Sequence, residues 1–453
     1  MRLPFPNSEY LERQSTFLNQ LPAGTVLIIP TNSKKQRSND TNYRFRANSY
    51  ILYLCGWSEP DALFVANNLS GEWNTSLYVR DKDTKKEIWE GIILGPEYAA
   101  NNLPVDSGYS INTFEANFIK YIQHENFESI FNLAGENEFV DKLINDNDLD
   151  SNSPKRFLDP MRVIKSDKEI EIMKKSAEIA CDAHILAMKS GCSGISECHL
   201  QSIIEGYFIS NKSHWAYPSI VGGGDNATIL HYNQNLDDIN DGELVLIDAG
   251  CEIDGYASDI TRTWPVNGKF SDPQREIYEL VLAAEKAAIE ACQVGAPWNS
   301  FHEASSKVLA QGMIDLGILN CTLDEALGED LNGPYRNYFM HGTGHLLGLD
   351  VHDVGGGRQG DNNPGPTFES GMVITVEPGL YFASWRNDVS IPERYSGIGV
   401  RIEDNILITN DGPVVLTSAC PKEIIDIESI MNGEDPMNNK YIASFIKKAE
   451  RKA

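Results

Sequence analysis

An α/β (α+β) fold in two domains is what this sequence predicts, on three observations. The chain has 453 residues, more than one hydrophobic core ordinarily organises. Short apolar runs alternate with stretches of helical periodicity along its length. A polar stretch at 145–160 (NDNDLDSNSPKRFLDP), with prolines at 154 and 160, separates two such series and reads as a linker. The boundaries that follow are 1–155 for an amino-terminal domain and 162–453 for a carboxy-terminal one.

In the first domain, helical spacing marks 8–21 and 112–124, and 26–30 is a short apolar strand. Residues 49–54, a Gly56–Pro60 turn and residues 62–66 read as a pair of strands, and 76–80 as another. In the second, Ser166 with Glu169 three residues later is a capping box. Ile170, Met173, Ala177 and Ala180 follow on one helical face. Helices are expected over 167–189, 197–211, 272–293 and 299–316, and strands over 243–249, 256–262, 373–377 and 398–408. In the tail, Ile442, Phe445, Ile446 and Ala449 share a face that would pack on the protein itself or on a second subunit.

Composition narrows the function classes. With 38 basic and 65 acidic residues the formal charge is −27, a surface that repels nucleic acid and anionic membranes. No apolar run approaches 18 residues and no secretion signal opens the chain, so neither a membrane partner nor export is expected and a cytoplasmic location is. Eight cysteines lie singly, with no CxxC pair, and read as reduced, mostly buried thiols.

Against this background Asp248, Asp259, His345, Glu377 and Glu403 stand out. Each lies in an apolar strand-like run or a glycine-rich turn, where a lone charge is costly to bury. Residues 243–249 (ELVLIDA) end close to Asp248, and Asp254–Gly255 is a strong two-residue turn signal. Centring the turn there puts 248 opposite 261, so Asp248 and Asp259 share a face as diagonal neighbours. Glu377 stands at the mouth of an apolar run stopped by Pro378. In 399–408 (GVRIEDNILI), Arg401 and Glu403 point to the same side, which is expensive unless both are paired. His341, His345 and His352 fall within twelve residues, with Gly342 and Gly344 favouring a loop over a helical zinc motif. Four carboxylates and an imidazole suit two divalent ions. The oxygen-rich set favours Mn²⁺, with Co²⁺ and Mg²⁺-like ions close behind, over a thiolate zinc site. A site of this kind points to metal-assisted hydrolysis.

These residues lie in stretches with a familiar look: ILHYNQN (229–235), VLIDAGCEIDGYASDITRTWPVNGKFSDPQREIY (245–278), MHGTGHLLGLDVHDVG (340–355), GMVITVEPGLY (371–381) and GIGVRIEDNILIT (397–409). They resemble the pita-bread metallopeptidases and, within them, the aminopeptidase P (Xaa-Pro aminopeptidase) group. YRFRANSYILYLCGWSEPDALFV (43–65) and EIWEG (87–91) resemble that group's amino domain. The resemblance implies a pita-bread catalytic domain behind a creatinase-like amino domain. It implies a peptide substrate with proline in second position, cut ahead of that proline. It also implies two metal ions held by Asp248, Asp259, His345, Glu377 and Glu403, with Asp259 and Glu403 bridging. Glu377 would then be general base, His231, His341 and His352 would line the substrate pocket, and Arg401 would hold Asp248 and Tyr381, the latter also assigned to that pocket. Trp89 is open between a core tryptophan of the amino domain and a residue that closes the pocket of a neighbouring subunit in a homo-oligomer (dimer or tetramer). The readings that compete are a prolidase, which takes only Xaa-Pro dipeptides, and a non-catalytic binding module on the same fold, which would not need all five ligands.

Overall fold

A computed structural model describes residues 2–355 and 367–433. The chain forms two compact units, Met1–Met161 and Arg162–Ala453. The tail helix face at 441–449 lies outside the described residues.

The first unit is built on a six-stranded mixed sheet ordered Ser107–Ser110, Asn74–Val79, Leu63–Asn67, Thr25–Pro30, Ser129–Asn132, Ser151–Asn152. Thr25–Pro30 is buried along its whole length, as a central strand requires. Residues 49–54 are not a strand but the helix Ser49–Cys55. The Asn48 side chain accepts from the Tyr50 N–H at its start, and Gly56, in the left-handed region at φ 70°, closes its end. Nearly every residue between them is buried, so the polar face that distinguishes a helix from a strand is missing. The 145–160 stretch is not a loop either. Ser151–Asn152 adds a parallel edge strand, and Lys155–Val163 is a helix that runs through Pro160.

The second unit repeats one plan twice. Helices Asp167–Ser190 and Glu197–Ser210 precede antiparallel strands between residues 220 and 265. Helices Asp272–Ala291 and Ser300–Asp315 precede a second antiparallel set between residues 373 and 415. The Ser166 capping box is present, with the Ser166 N–H bonded to Glu169 and the Glu169 N–H to the serine hydroxyl. All eight cysteines are free, five of them buried.

The two halves are held together by a buried ion cluster. Arg262 is wholly buried and donates to the Asp404 carboxylate (2.7 Å), to the backbone carbonyl of Glu403 (2.6 Å) and to that of Cys420 (2.9 Å). Lys422 bridges Asp404 and Glu285, each at 2.6 Å. These charges hold Asp404 well below the ordinary carboxylate range, chiefly through Arg262 and against the cost of burial. Removing one member of such a cluster strands its partner. Arg262→Met is expected to cost roughly 3–5 kcal/mol in urea unfolding; a loss under about 1 kcal/mol would show that the cluster does not join the halves.

Candidate metal centre

The strands carrying the acidic residues form two broken hairpins. In the first, Asp248 pairs with Thr261 and Ile253 with Tyr256, one continuous register around the Asp254–Gly255 turn. Asp254 and Gly255 both have positive φ (52° and 88°), as a type I′ turn needs. Between these parts, at 249–251 and 258–260, the ladder loosens into an opening crossed by single bonds, from the Ala249 N–H to the Ile260 carbonyl (3.0 Å) and from the Ser258 N–H to the Cys251 carbonyl (2.9 Å). Gly250 sits so close to the opposite chain that a Cβ there would lie 1.8 Å from the Ser258 carbonyl oxygen. Asp248 ends one side of the opening and Asp259 lies in the other.

The second hairpin repeats the device. Val376 pairs with Asp404 and Gly379 with Arg401, again one register. Between them Glu377 faces Glu403 across a gap that Pro378, lacking an N–H, helps to open. The continuous strand expected over 398–408 is therefore two, Ile398–Arg401 and Asp404–Thr409, in different sheets. The expected strand 256–262 is likewise divided into Tyr256–Ala257 and Thr261–Pro265. The hairpins lie side by side: the Glu403 N–H donates to the Thr261 carbonyl (3.1 Å) and the Asp259 N–H to Asn405 Oδ1 (3.1 Å). Thus both openings face one cavity.

His345 arrives on an extended loop laid against the strand Val373–Val376. The His345 N–H donates to Thr375 Oγ1 and the Thr375 N–H to the His345 carbonyl. Gly344 permits this approach, since a Cβ there would meet the Thr375 carbonyl oxygen at 2.0 Å. His345 Nδ1 donates to the Leu346 carbonyl (3.0 Å), which leaves Nε2 facing Asp259 (3.5 Å) and Glu377 (3.6 Å), the nitrogen a metal would take once its proton leaves. Donor atoms of Asp259, His345 and Glu403 all lie within 4.8 Å of one another, a spacing that fits a metal ion.

The cavity has a volume of about 1050 Å³ and is lined by Asp248, Asp259, His345, Glu377, Glu403, Arg401, His231, His341 and His352. The His345 and His352 rings are 4.0 Å apart. Burial and crowding set the electrostatics. Burial, then the charges of Asp259, Glu377 and Asp248, push Glu403 well above the carboxylate range. Burial and Asp248 push Asp259 up. Burial raises Glu377 to about 7, against the pull of His345 and Arg401. Burial opposes charge on His345, but Asp259 and Glu377 prevail and lift it to about 9. Four mutually repelling carboxylates with one fixed cation, Arg401, make a donor set that divalent cations would neutralise.

Several placements differ from the sequence reading. Tyr381 is fully buried behind the cavity wall rather than on it. Its hydroxyl accepts from Arg401 (3.0 Å) and donates to His341 Nε2 (2.7 Å). His341 Nδ1 donates to the Gly342 carbonyl (2.7 Å), so both ring nitrogens are engaged within the protein. Arg401 also donates to Asp248 Oδ2 (2.7 Å), joining His341, Tyr381 and Asp248 in one chain. Trp89, on the helix Thr84–Glu90 of the first unit, is 87% exposed, which rules out a core role.

Two site residues escaped the sequence reading. Tyr217 donates to Asp248 Oδ1 (2.6 Å) and also touches Asp259. Thr261 Oγ1 donates to Glu403 Oε2 (2.7 Å) and accepts from Arg401 Nε (3.1 Å). Thr261 was within reach, because it is the residue the turn register sets opposite Asp248. Nothing local flags Tyr217.

Comparison with known proteins agrees with this geometry. Residues 171–410 match the model of metallopeptidase family M24, and residues 10–131 that of the aminopeptidase P, N-terminal domain. An Xaa-Pro aminopeptidase of Haemophilus influenzae is 42% identical over 434 residues, covering 94% of this chain and 98% of the relative. An aminopeptidase of Pseudomonas aeruginosa superposes with a TM-score of 0.89 at 36% identity, over 95% of this chain and 99% of that one. Aminopeptidase P of Escherichia coli, solved with the inhibitor Pro-Leu, superposes with a TM-score of 0.88 at 35% identity, over 94% and 98%.

Proposed function

From the premise that this chain belongs to metallopeptidase family M24, we propose that two Mn²⁺ ions sit between its broken hairpins and serve the removal of an amino-terminal residue that precedes proline. The chain is a divalent-metal aminopeptidase cleaving ahead of proline. One observation carries the finer reading: Asp248 and Asp259 at one strand opening and Glu377 and Glu403 at the other face one cavity with His345. Asp259 and Glu403, which meet His345 at metal spacing, are the proposed bridging ligands, with Asp248, His345 and Glu377 completing the set.

Bound there, the ions would polarise the scissile carbonyl and acidify water. The chain's own residues do the rest. Glu377, lifted toward neutrality by burial, accepts the proton of the attacking water and passes it to the departing proline nitrogen. His231 and His352, on the cavity wall, hydrogen-bond the peptide and stabilise charge on its carbonyl. His341, with both nitrogens engaged, holds Tyr381 and hence Arg401 and Asp248 in place. The substrate's free amino group lies beside Asp248, which makes the reaction exopeptidic. Trp89, with Ile88 and Ile92, is exposed on the first unit; we assign this surface to a homo-oligomer in which it closes a neighbouring subunit's pocket.

The aminopeptidase P type of amino domain over 10–131 favours peptides longer than a dipeptide. After chelation, re-addition of Mn²⁺ should restore hydrolysis of an Xaa-Pro-Yaa tripeptide with kcat/KM above that for the matching Xaa-Pro dipeptide. Preference for the dipeptide would turn the assignment to a prolidase. Failure of Mn²⁺, but not another divalent ion, to restore activity would overturn the choice of metal.

A further inference from the structure

One stretch of the cavity wall carries no metal ligand and has no part in the chemistry above. It is formed by Trp298, Asn299, Phe301 and His302, around the start of the helix Ser300–Asp315, together with Thr343. His302 is half-buried in it. Its Nδ1 lies 2.8 Å from Thr343 Oγ1, and that oxygen lies 2.7 Å from Ser305 Oγ. Ser305 in turn reaches the His302 carbonyl (3.1 Å). Phe339 packs against the imidazole at 5.7 Å between centroids. The ring is thus held on one edge and one side, and its Nε2 has no hydrogen-bond partner among the described residues.

Counting protons shows what Nε2 can offer. Burial and then Arg336 lower the His302 pKa to about 4, so the ring is neutral in ordinary buffers. If Ser305 donates to Thr343 and Thr343 to Nδ1, the imidazole proton is on Nε2, which donates into the cavity. If Ser305 donates to the His302 carbonyl and Thr343 to Ser305, the proton is on Nδ1 and Nε2 accepts. The two arrangements differ only by rotation of hydroxyls and a tautomer change. In either tautomer Nε2 has one bond to make, which a neutral hydroxyl or carboxamide meets as acceptor or as donor. Arg336 disfavours a cation there, and the four carboxylates of the same cavity disfavour an anion.

We propose that His302 is a specificity-determining residue: through Nε2 it hydrogen-bonds a hydroxyl or carboxamide side chain on a residue flanking the substrate's proline. This rests on the peptidase reading above and adds the chemistry of the side chain selected. Beside His302 the wall carries Asn299 and the aromatic pair Trp298 and Phe301 (5.5 Å), backed by the buried Phe368 (5.4 and 5.8 Å). It would therefore accept an apolar side chain while leaving Nε2 unpaired, and a polar side chain is favoured by the one bond it adds.

The test uses the metal-loaded protein and tripeptides that differ in one side chain, Asn against Leu, placed first before proline and then after it. The quantity read is the Asn-to-Leu ratio of kcat/KM. It is internal to each preparation, so partial loss of folded protein leaves it unmoved. His302→Leu should lower the ratio about fivefold to tenfold at one of the two positions, the worth of one hydrogen bond. His302→Gln, which keeps a group that donates and accepts, should hold it closer to the unsubstituted value. An unchanged ratio at both positions in His302→Leu overturns the proposal and leaves the peptidase reading standing. No hydrolysis of any of these peptides by the unsubstituted protein overturns both.

Discussion

Glu403→Gln should lower kcat/KM for an Xaa-Pro-Yaa peptide by roughly three orders of magnitude while the protein stays folded. The two halves of that expectation have different causes. Glutamine has the same shape, and its amide oxygen can still accept from Thr261 Oγ1, now 2.7 Å from the carboxylate. It also removes a carboxyl whose charged form is opposed by burial and by Asp259, Glu377 and Asp248, so the metal-free variant should melt no lower than the metal-free parent. What it loses is a charged donor between the hairpins. A metal's charge stabilisation is worth several kcal/mol, and each 1.36 kcal/mol is a decade in rate. Metal content by mass spectrometry should fall from the proposed two ions per chain to one or none. A variant that binds two ions and works within tenfold of the parent would remove Glu403 from the ligand set.

The second large effect is a pH dependence that reverses sign with metal. In the metal-free protein Glu377 is lifted to about 7 and His345 to about 9. A raised folded pKa means the folded state holds its proton more tightly than the unfolded chain does. Stability from both groups is therefore fully present at low pH. It is lost as pH rises, for Glu377 from the ordinary carboxylate range to about 7, and for His345 from the ordinary imidazole range to about 9. Ligation requires these same protons to leave. Metal affinity should thus climb over the window in which the metal-free protein weakens, by about tenfold for each proton released per pH unit. The gap in melting temperature between loaded and metal-free protein should widen steadily from pH 5 to pH 9. A gap that stays constant, or binding with no proton release in calorimetry across buffers, would show that these groups are not the ligands.

Much of this was legible because it is local. A turn signal and a period of two placed Thr261 opposite Asp248, and the structure keeps that register. The Ser166 box began its helix where expected. Misreadings came where local rules are silent. Residues 49–55 are so uniformly buried that periodicity carries no information. The openings at 249–251 and 402–403 leave the apolar pattern on either side unbroken, and only the close approach at Gly250 and the missing N–H of Pro378 mark them. Tyr381, expected in the substrate pocket, lies behind its wall, where its hydroxyl accepts from Arg401 and donates to His341.

By itself the sequence determined the alternation of helices and strands, the pairing within the first hairpin, and which acidic residues were too costly to bury alone. Those follow from backbone geometry over a few residues, where the chain is its own ruler. Only the tertiary structure decided that the two hairpins meet at their openings, that His345 is laid beside Thr375 and Glu377, that Tyr217 joins the cavity wall and that Thr261 holds Glu403 from behind it. Contacts between elements more than a hundred residues apart arise from burial of apolar surface, which is non-directional. Their partners emerge only when the whole chain is packed.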